Sequence, residues 1–245
     1  EALVLLHGFP HDRTLWAPQL AAVPAGVRAI APDLPGFGES APVAVASLDA
    51  WADGIVALLD QLRIDRAIIG GLSMGGYLAF ALWRRHAARI RGLVLADTRA
   101  GADSDEARAN RRAMQALART EGADAHPVHE AGRPERASRP GVVATLDAMM
   151  RRASVPAISD ALDAMMSRED SHATLETIRV PTLVLCGEED VLTPIAESER
   201  MHAAIRGSTL GILPGAGHAS NIEAPEVFNS LLYGFTLATI RDTTS

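Results

Sequence analysis

The sequence has 245 residues, of which 48% are hydrophobic and 22% are charged, and its formal charge is −7. These values predict a globular domain with one well-buried core, and the acidic excess argues against nucleic acid or an anionic membrane surface as the main partner. Lysine is absent, which excludes a Schiff-base mechanism, and the single cysteine excludes an intramolecular disulfide.

Short apolar runs alternate with longer helical stretches, a pattern typical of a mostly parallel sheet with helices on both faces. The runs are continuous, as expected for strands that are buried on both faces. The predicted strands are 3–6, 27–31, 67–70, 92–96, 182–186 and 209–213. Ser47 is a good N-cap for a predicted helix over 48–62, and Pro225 is well placed to begin a last helix over 226–240.

No strand is predicted between about Arg99 and Ile178, a stretch several times longer than a crossover needs. We therefore predict a core of residues 1–98 and 179–245, with a helical insertion over 99–178. The segment from His126 to Glu130 carries potential metal ligands, but Pro127 disrupts a helical spacing there, so we predict no metal site.

The loop after the first predicted strand begins His7-Gly8-Phe9-Pro10. Gly8 permits close backbone approach, and we interpret His7 as a structural histidine that bonds to the loop backbone. Pro10 has no N–H, so Phe9 is the better hydrogen-bond donor of this loop.

Gly71-Leu72-Ser73-Met74-Gly75 lies between a predicted strand and a predicted helix. A serine at such a corner sits on a sharp turn with its hydroxyl exposed, and the flanking glycines avoid a steric clash. Ser73 is therefore the candidate nucleophile. The N–H groups of Met74 and Phe9 are the candidate oxyanion hole, because acyl transfer places negative charge on a carbonyl oxygen.

The remaining members of a catalytic triad are predicted at the ends of later strands. Three acids, Glu188, Glu189 and Asp190, follow the fifth predicted strand, and Asp190 is favoured because it lies deepest in the loop. Asp97, after the fourth predicted strand, is its rival. His218, in a glycine-rich loop after the last strand, is the candidate base, and the chain order Ser, Asp, His fits.

With these motifs the chain resembles the α/β-hydrolase superfamily from Leu3 to Ile240. The similarity includes the loop Asp33–Ser40 and the segment Glu223–Glu226, and Ala96–Ala100 is similar to small bacterial esterases and lactonases of the 3-oxoadipate enol-lactonase type. The resemblance implies an α/β-hydrolase fold with a helical lid. It also implies strands before the His-Gly loop that this sequence lacks, so we expect a sheet truncated at one edge.

The resemblance implies a serine hydrolase that cleaves a small-molecule ester or lactone without a cofactor or metal. Under the lid, the pairs Met149-Met150 and Met165-Met166 are candidates for an adaptable pocket, or simply pack the lid's own helices. Because the histidine must be neutral to act as a base, we expect activity to rise through about pH 6–7.

Three alternatives share the same triad: a cofactor-free perhydrolase, a C–C bond hydrolase and a slow-turnover ligand receptor. We expect a cytoplasmic protein that does not associate with membranes, since no apolar run approaches the ~20 residues of a span. A removed leader, the oligomeric state and the acyl specificity stay open.

Overall fold

A computed structural model of the protein describes residues 1–122 and 140–241, so the potential metal ligands between His126 and Glu130 lie outside the described residues. A six-stranded sheet is at its centre, in the order β2-β1-β3-β4-β5-β6, and every neighbouring pair is parallel. The strands are β1 (Ala2–Leu6), β2 (Arg28–Ile30), β3 (Ala67–Leu72), β4 (Ile90–Ala96), β5 (Thr182–Gly187) and β6 (Thr209–Leu213). The predicted α/β class and all six predicted strands are confirmed.

The two edge strands differ from the prediction that all strands are buried. β2 is shorter than expected and partly exposed, and β6 is buried only at Leu213. Each has a partner on one side only, whereas β1, β3, β4 and β5 are flanked on both sides. The edge position therefore explains why apolar runs at 27–31 and 209–213 remain partly in contact with solvent.

Ten α-helices lie within the described ranges. They are α1 (Ala17–Leu20), α2 (Leu48–Gln61), α3 (Met74–His86), α4 (Asp105–Glu121), α5 (Pro140–Met150), α6 (Val155–Met166), α7 (His172–Leu175), α8 (Ile195–Ala204), α9 (Ser220–Glu223) and α10 (Pro225–Arg241). Ser47 caps α2 as predicted, since its hydroxyl accepts a hydrogen bond from the N–H of Ala50 at 3.1 Å.

The sheet separates two hydrophobic cores, because successive side chains of a strand point to opposite faces. Val4 and Leu6 of β1 belong to one core together with residues of α2, α3 and α8. Leu3 and Leu5 belong to the other core, which includes residues of α10. Helices thus cover both faces of the sheet, and the loops that follow the strands lie at the strand ends.

The described chain between β4 and β5 contains the four helices α4 to α7, joined by loops, and no strand. Its helices α4 and α6 contact each other, and Ile158, Leu162 and Met165 of α6 join the same core as the beginning of α3. The inserted helices therefore pack over the carboxyl end of β3. No helix in the described ranges is both long and apolar enough to cross a bilayer.

Candidate active site

The residues predicted for catalysis and for the oxyanion hole meet at the carboxyl-terminal ends of the strands, because in a parallel sheet these ends lie together. The loops that follow β1, β3, β4, β5 and β6 all contribute. In chain order these loops carry Phe9, Ser73, Asp97, Asp190 and His218.

Ser73 occupies a sharp turn between β3 and α3. Its backbone angles, φ of 55° and ψ of −112°, lie outside the regions that residues other than glycine normally adopt. Its N–H donates to the carbonyl of Ala96 at 2.9 Å. A Cβ on Gly71 would overlap the backbone of Gly75, and a Cβ on Gly75 would overlap the carbonyl of Leu6. The flanking glycines are therefore required by the close approach of neighbouring backbone segments.

Ser73, His218 and Asp190 form a continuous chain of hydrogen bonds. Nε2 of His218 lies 2.9 Å from Oγ of Ser73, and its Nδ1 lies 2.9 and 3.0 Å from the two carboxylate oxygens of Asp190. The carboxylate favours a proton on Nδ1, which leaves Nε2 to accept the serine proton. This is the arrangement that a nucleophile, a general base and an orienting acid require.

The pKa values of the histidine and the carboxylate are displaced in opposite directions. Burial alone would lower the pKa of His218, but the charge of Asp190 and its hydrogen bond outweigh it, so this pKa is raised. Burial alone would raise the pKa of Asp190, but the charge and hydrogen bond of His218, together with the hydrogen bonds from Thr193, outweigh it, so this pKa is lowered. The site thus favours the ion pair of imidazolium and carboxylate.

Asp97, the alternative candidate for the acid of the triad, is fully buried, and its carboxylate bonds to groups other than His218. One oxygen accepts from the N–H of Gly187 at 2.8 Å, and the other accepts from the hydroxyl and the N–H of Ser220. Gly187 ends β5 before the loop of Asp190, and Ser220 follows His218 closely. Asp97 therefore connects these two loops, and burial followed by the nearby charge of Asp190 raises its pKa to about 7.

Two further side chains hold the site, although the sequence motifs assigned them no role. The hydroxyl of Thr98 donates to the carbonyl of Ser73 at 2.8 Å. The carboxylate of Glu223 accepts from the N–H groups of Gly217 at 2.9 Å and Ala219 at 3.1 Å, on either side of His218. In the sequence, Glu223 stands out only as part of the segment Glu223–Glu226, which resembles the α/β-hydrolase superfamily.

The candidate oxyanion hole lies between the loop after β1 and the start of α3. Met74 is the first residue of α3, where an N–H has no acceptor in its own helix. Phe9 lines the cavity beside Ser73. His7 is buried below: its Nδ1 donates to the carbonyl of Gly8 at 2.9 Å and its Nε2 accepts from the N–H of Leu34 at 2.9 Å, the bonds of a structural histidine.

A cavity of about 160 Å³ is lined by Ser73 and His218. Met114, Met165 and Leu192 belong to its apolar wall. This volume is well below the ~300–1,000 Å³ typical of sites for drug-sized ligands. The cavity therefore fits a small acyl or alcohol group.

The methionines of this cavity differ from those expected. Of the two predicted pairs, only Met165 lines it, and Met114 of α4 is its other methionine. Met149 instead packs in the core with Leu15 and Trp16, and neither Met150 nor Met166 lines the cavity. Adjacent residues on a helix point about 100° apart, so the second methionine of a pair faces a different direction from the first.

Asp97, Cys186 and Asp190 are the one group of potential metal ligands close together in the described part of the chain, with ligand atoms within 4.8 Å of one another. Both carboxylates already accept the hydrogen bonds given above. Burial, followed by the charge of Asp97, raises the pKa of the Cys186 thiol to about 12, so the sulfur keeps its proton and is a poor ligand. The cluster supports the loops of the site.

Residues 3–231 match the model of the alpha/beta hydrolase family. The chain is 31% identical to a pimeloyl-[acyl-carrier protein] methyl ester esterase of Neisseria meningitidis, over 98% of this chain and 95% of that protein. The chain therefore belongs to the alpha/beta hydrolase family.

Solved structures place it with the esterases and lactonases of this family. A thermophilic esterase from Thermogutta terrifontis, solved with malate bound, is 36% identical with a TM-score of 0.92, covering 97% of this chain and 90% of that one. The enol-lactonase from Burkholderia xenovorans LB400 is 30% identical with a TM-score of 0.86, covering 96% and 91%.

Proposed function

We propose that this enzyme hydrolyses carboxylic esters or lactones through an acyl-enzyme on Ser73. The observation that carries the proposal is the hydrogen-bond chain from Ser73 through His218 to Asp190, which borders a small and largely apolar cavity. The names of the related proteins, which are esterases and an enol-lactonase, support the same reaction class.

In the first half of the reaction, Oγ of Ser73 bonds to the substrate carbonyl carbon and its proton passes to Nε2 of His218. The bond from this carbon to the alcohol oxygen then breaks, and His218 returns the proton to that oxygen. Water repeats the sequence on the acyl-enzyme and frees the acid. With a lactone, the alcohol stays attached to the acyl chain.

Phe9 and Met74 would stabilise the negative charge on the carbonyl oxygen through their N–H groups. Fixed donors of this kind need no reorganisation during the reaction, and loss of one donor typically costs ~10²–10³ in rate. The predicted insertion over 99–178 would act as the lid, since Met114 of α4 and Met165 of α6 line the cavity.

The direct experiment measures hydrolysis of p-nitrophenyl esters from acetate to laurate by the wild type, Ser73→Ala and Ser230→Ala. Ser230 is an exposed serine on α10 and serves as the matched control. We expect Ser73→Ala to lose about 10⁶-fold in kcat, as in other triad enzymes, and Ser230→Ala to be unchanged. Acetate and butyrate should be better substrates than laurate because the cavity is small.

Full activity in Ser73→Ala would contradict the acyl-enzyme. Absence of turnover in the wild type would contradict ester hydrolysis and favour the C–C hydrolase or receptor alternatives. A preference for laurate would leave the mechanism standing and show that the cavity enlarges when a substrate binds.

A further inference from the structure

Two arginines line the candidate active-site cavity, although neither takes part in the proposed acyl transfer. Arg99 follows β4 closely and Arg111 lies on α4. The other walls include Phe9, Met114 and Leu192. A charged group beside an apolar wall interacts more strongly with an opposite charge than it would in water.

Asp103, a fully buried carboxylate, is shared by three arginines but satisfies only two of them. Nε of Arg111 lies 2.6 Å from one oxygen, and Nη1 of Arg168 lies 2.7 Å from the other. Nη2 of Arg99 is 3.6 Å from the same carboxylate, beyond a good hydrogen bond. The other near neighbour of Arg99 is Tyr77, an uncharged phenol. Arg99 is therefore the arginine whose pairing with a carboxylate is incomplete.

The charges around Arg99 do not balance. Glu197 is the other carboxylate that acts on Arg99, and it is already paired with Arg200 at 2.7 Å. The four arginines and two carboxylates of this group therefore carry a net charge of +2. A partly buried excess of positive charge favours an anion in the adjacent cavity.

Arg99 also has an unused hydrogen-bond donor. Its Nε atom is buried and has no acceptor among the residues that the structure describes. A buried donor without a partner is costly, and a carboxylate is the acceptor that best matches the planar fork of a guanidinium. Arg99 lines the cavity and its side chain is 32% exposed, so its guanidinium has the charge and the accessible surface to bind one carboxylate.

We propose that the substrate is an ester or lactone that carries a free carboxylate, which binds to Arg99 while Ser73 attacks the carbonyl carbon. The inference rests on the proposed function. The bound carboxylate takes no part in the bond changes and serves to select and position the substrate, so Arg99 is a specificity-determining residue.

The test compares monomethyl succinate with methyl succinamate, which replaces the carboxylate by a neutral amide of the same shape. Methanol release is followed at pH 8, where the carboxylate is ionised. We expect the wild type to prefer the carboxylate by roughly tenfold or more in kcat/KM, the factor that a hydrogen bond to a charged group supplies.

Arg99→Met should reduce this preference to near one, mainly through KM. Arg99→Lys should keep part of it, because the charge remains while the planar fork is lost. Arg112→Met is the matched control: Arg112 is the exposed neighbour of Arg111 on α4, and its variant should keep the full preference. An equal rate on both substrates in the wild type, or a full preference in Arg99→Met, overturns the proposal.

Binding to the Ser73→Ala protein separates the two proposals, because this variant can hold an intact ester. Calorimetry should show monomethyl succinate binding roughly tenfold more tightly than methyl succinamate. Tight selective binding without turnover in the wild type would overturn ester hydrolysis alone. Turnover with equal binding of the two compounds would overturn the carboxylate site alone.

Discussion

The protonation of His218 sets the lower pH limit of the proposed reaction, because only a neutral imidazole accepts the serine proton. From the sequence we expected activity to rise through about pH 6–7. Asp190 raises the pKa of His218 above its ordinary value of 6.5, despite burial. The rise in kcat/KM should therefore be centred above pH 6.5.

Replacement of Asp190 tests this coupling. Asp190→Asn removes the charge that raises the pKa of His218, so the midpoint of the kcat/KM profile should move to lower pH. The rate above that midpoint should fall by about 10⁴-fold, because the amide no longer fixes the histidine tautomer. Glu189→Gln, at the exposed neighbouring acid, should leave profile and rate unchanged. An unchanged midpoint in Asp190→Asn would contradict the assignment of the pair.

Asp97 should make its own contribution to the pH dependence of stability. Its pKa is about 7 in the folded protein, chiefly through burial, and about 3.9 in an unfolded chain. Between these values the folded state holds a proton that the unfolded state has lost. The free energy of unfolding therefore falls as pH rises through this window, by at most ~1.4 kcal/mol per pH unit.

Asp97→Asn should remove this contribution, since the amide does not titrate. Urea unfolding of wild type and variant at pH 5 and pH 7.5 gives the comparison. Between the two pH values the wild type should lose stability relative to Asp97→Asn. The difference in unfolding free energy between the wild type and the exposed control Asp65→Asn should stay constant. A constant difference between wild type and Asp97→Asn would contradict the raised pKa.

Individual site residues could be predicted from the sequence only where a local pattern accompanied them. Ser73 and His218 lie in glycine-rich motifs at strand ends. Such glycines indicate that neighbouring backbone segments come too close for a side chain. Arg99 lies in the family-like segment Ala96–Ala100, but that similarity does not reveal its incomplete pairing, which depends on Asp103 and on Arg168, far away in the sequence. A shared buried carboxylate is a tertiary property, and a single sequence does not reveal it.

At the scale of elements, the turn between β3 and α3 depends on backbone contact with β1. A Cβ on Gly75 would meet the Leu6 carbonyl, which the paired strand holds in place. Gly75→Ala should therefore abolish activity by displacing Ser73 or by preventing folding. Gly54 in α2 is the control, since nothing lies within 4 Å of its added Cβ.

Gly54→Ala should raise the free energy of unfolding by about 0.5–1 kcal/mol, because alanine loses less backbone entropy in a helix. Activity assays and thermal melts of both variants provide the measurement. Normal activity in Gly75→Ala would contradict the close contact with β1.

The strands were predictable because short, continuous apolar runs between helical stretches are typical of a parallel sheet. The helices of the insertion were less so. Met149 and Met165 lie in similar apolar stretches, yet Met149 belongs to the core that contains Trp16, whereas Met165 lines the cavity. Helical periodicity shows that a face is buried but does not identify what covers it.

At the scale of the whole molecule, net charge and local charge have opposite signs. The chain carries −7 overall, while the group around Arg99 is positive. The overall field does not favour an anion's approach, so selection of a carboxylate must come from short-range contacts. Bulk composition therefore does not reveal the small-molecule substrate, and the prediction against nucleic acid and membrane partners stays a prediction.

Cys186 has a practical consequence for experiments on this protein. It is the single cysteine of the sequence, it is fully buried, and its thiol stays protonated at any pH used for labelling. Maleimide reagents need an accessible thiolate, so the folded wild-type protein should offer them no background. One cysteine introduced on α4 would then carry a fluorophore or spin label at a unique position, and the native thiol would need no removal.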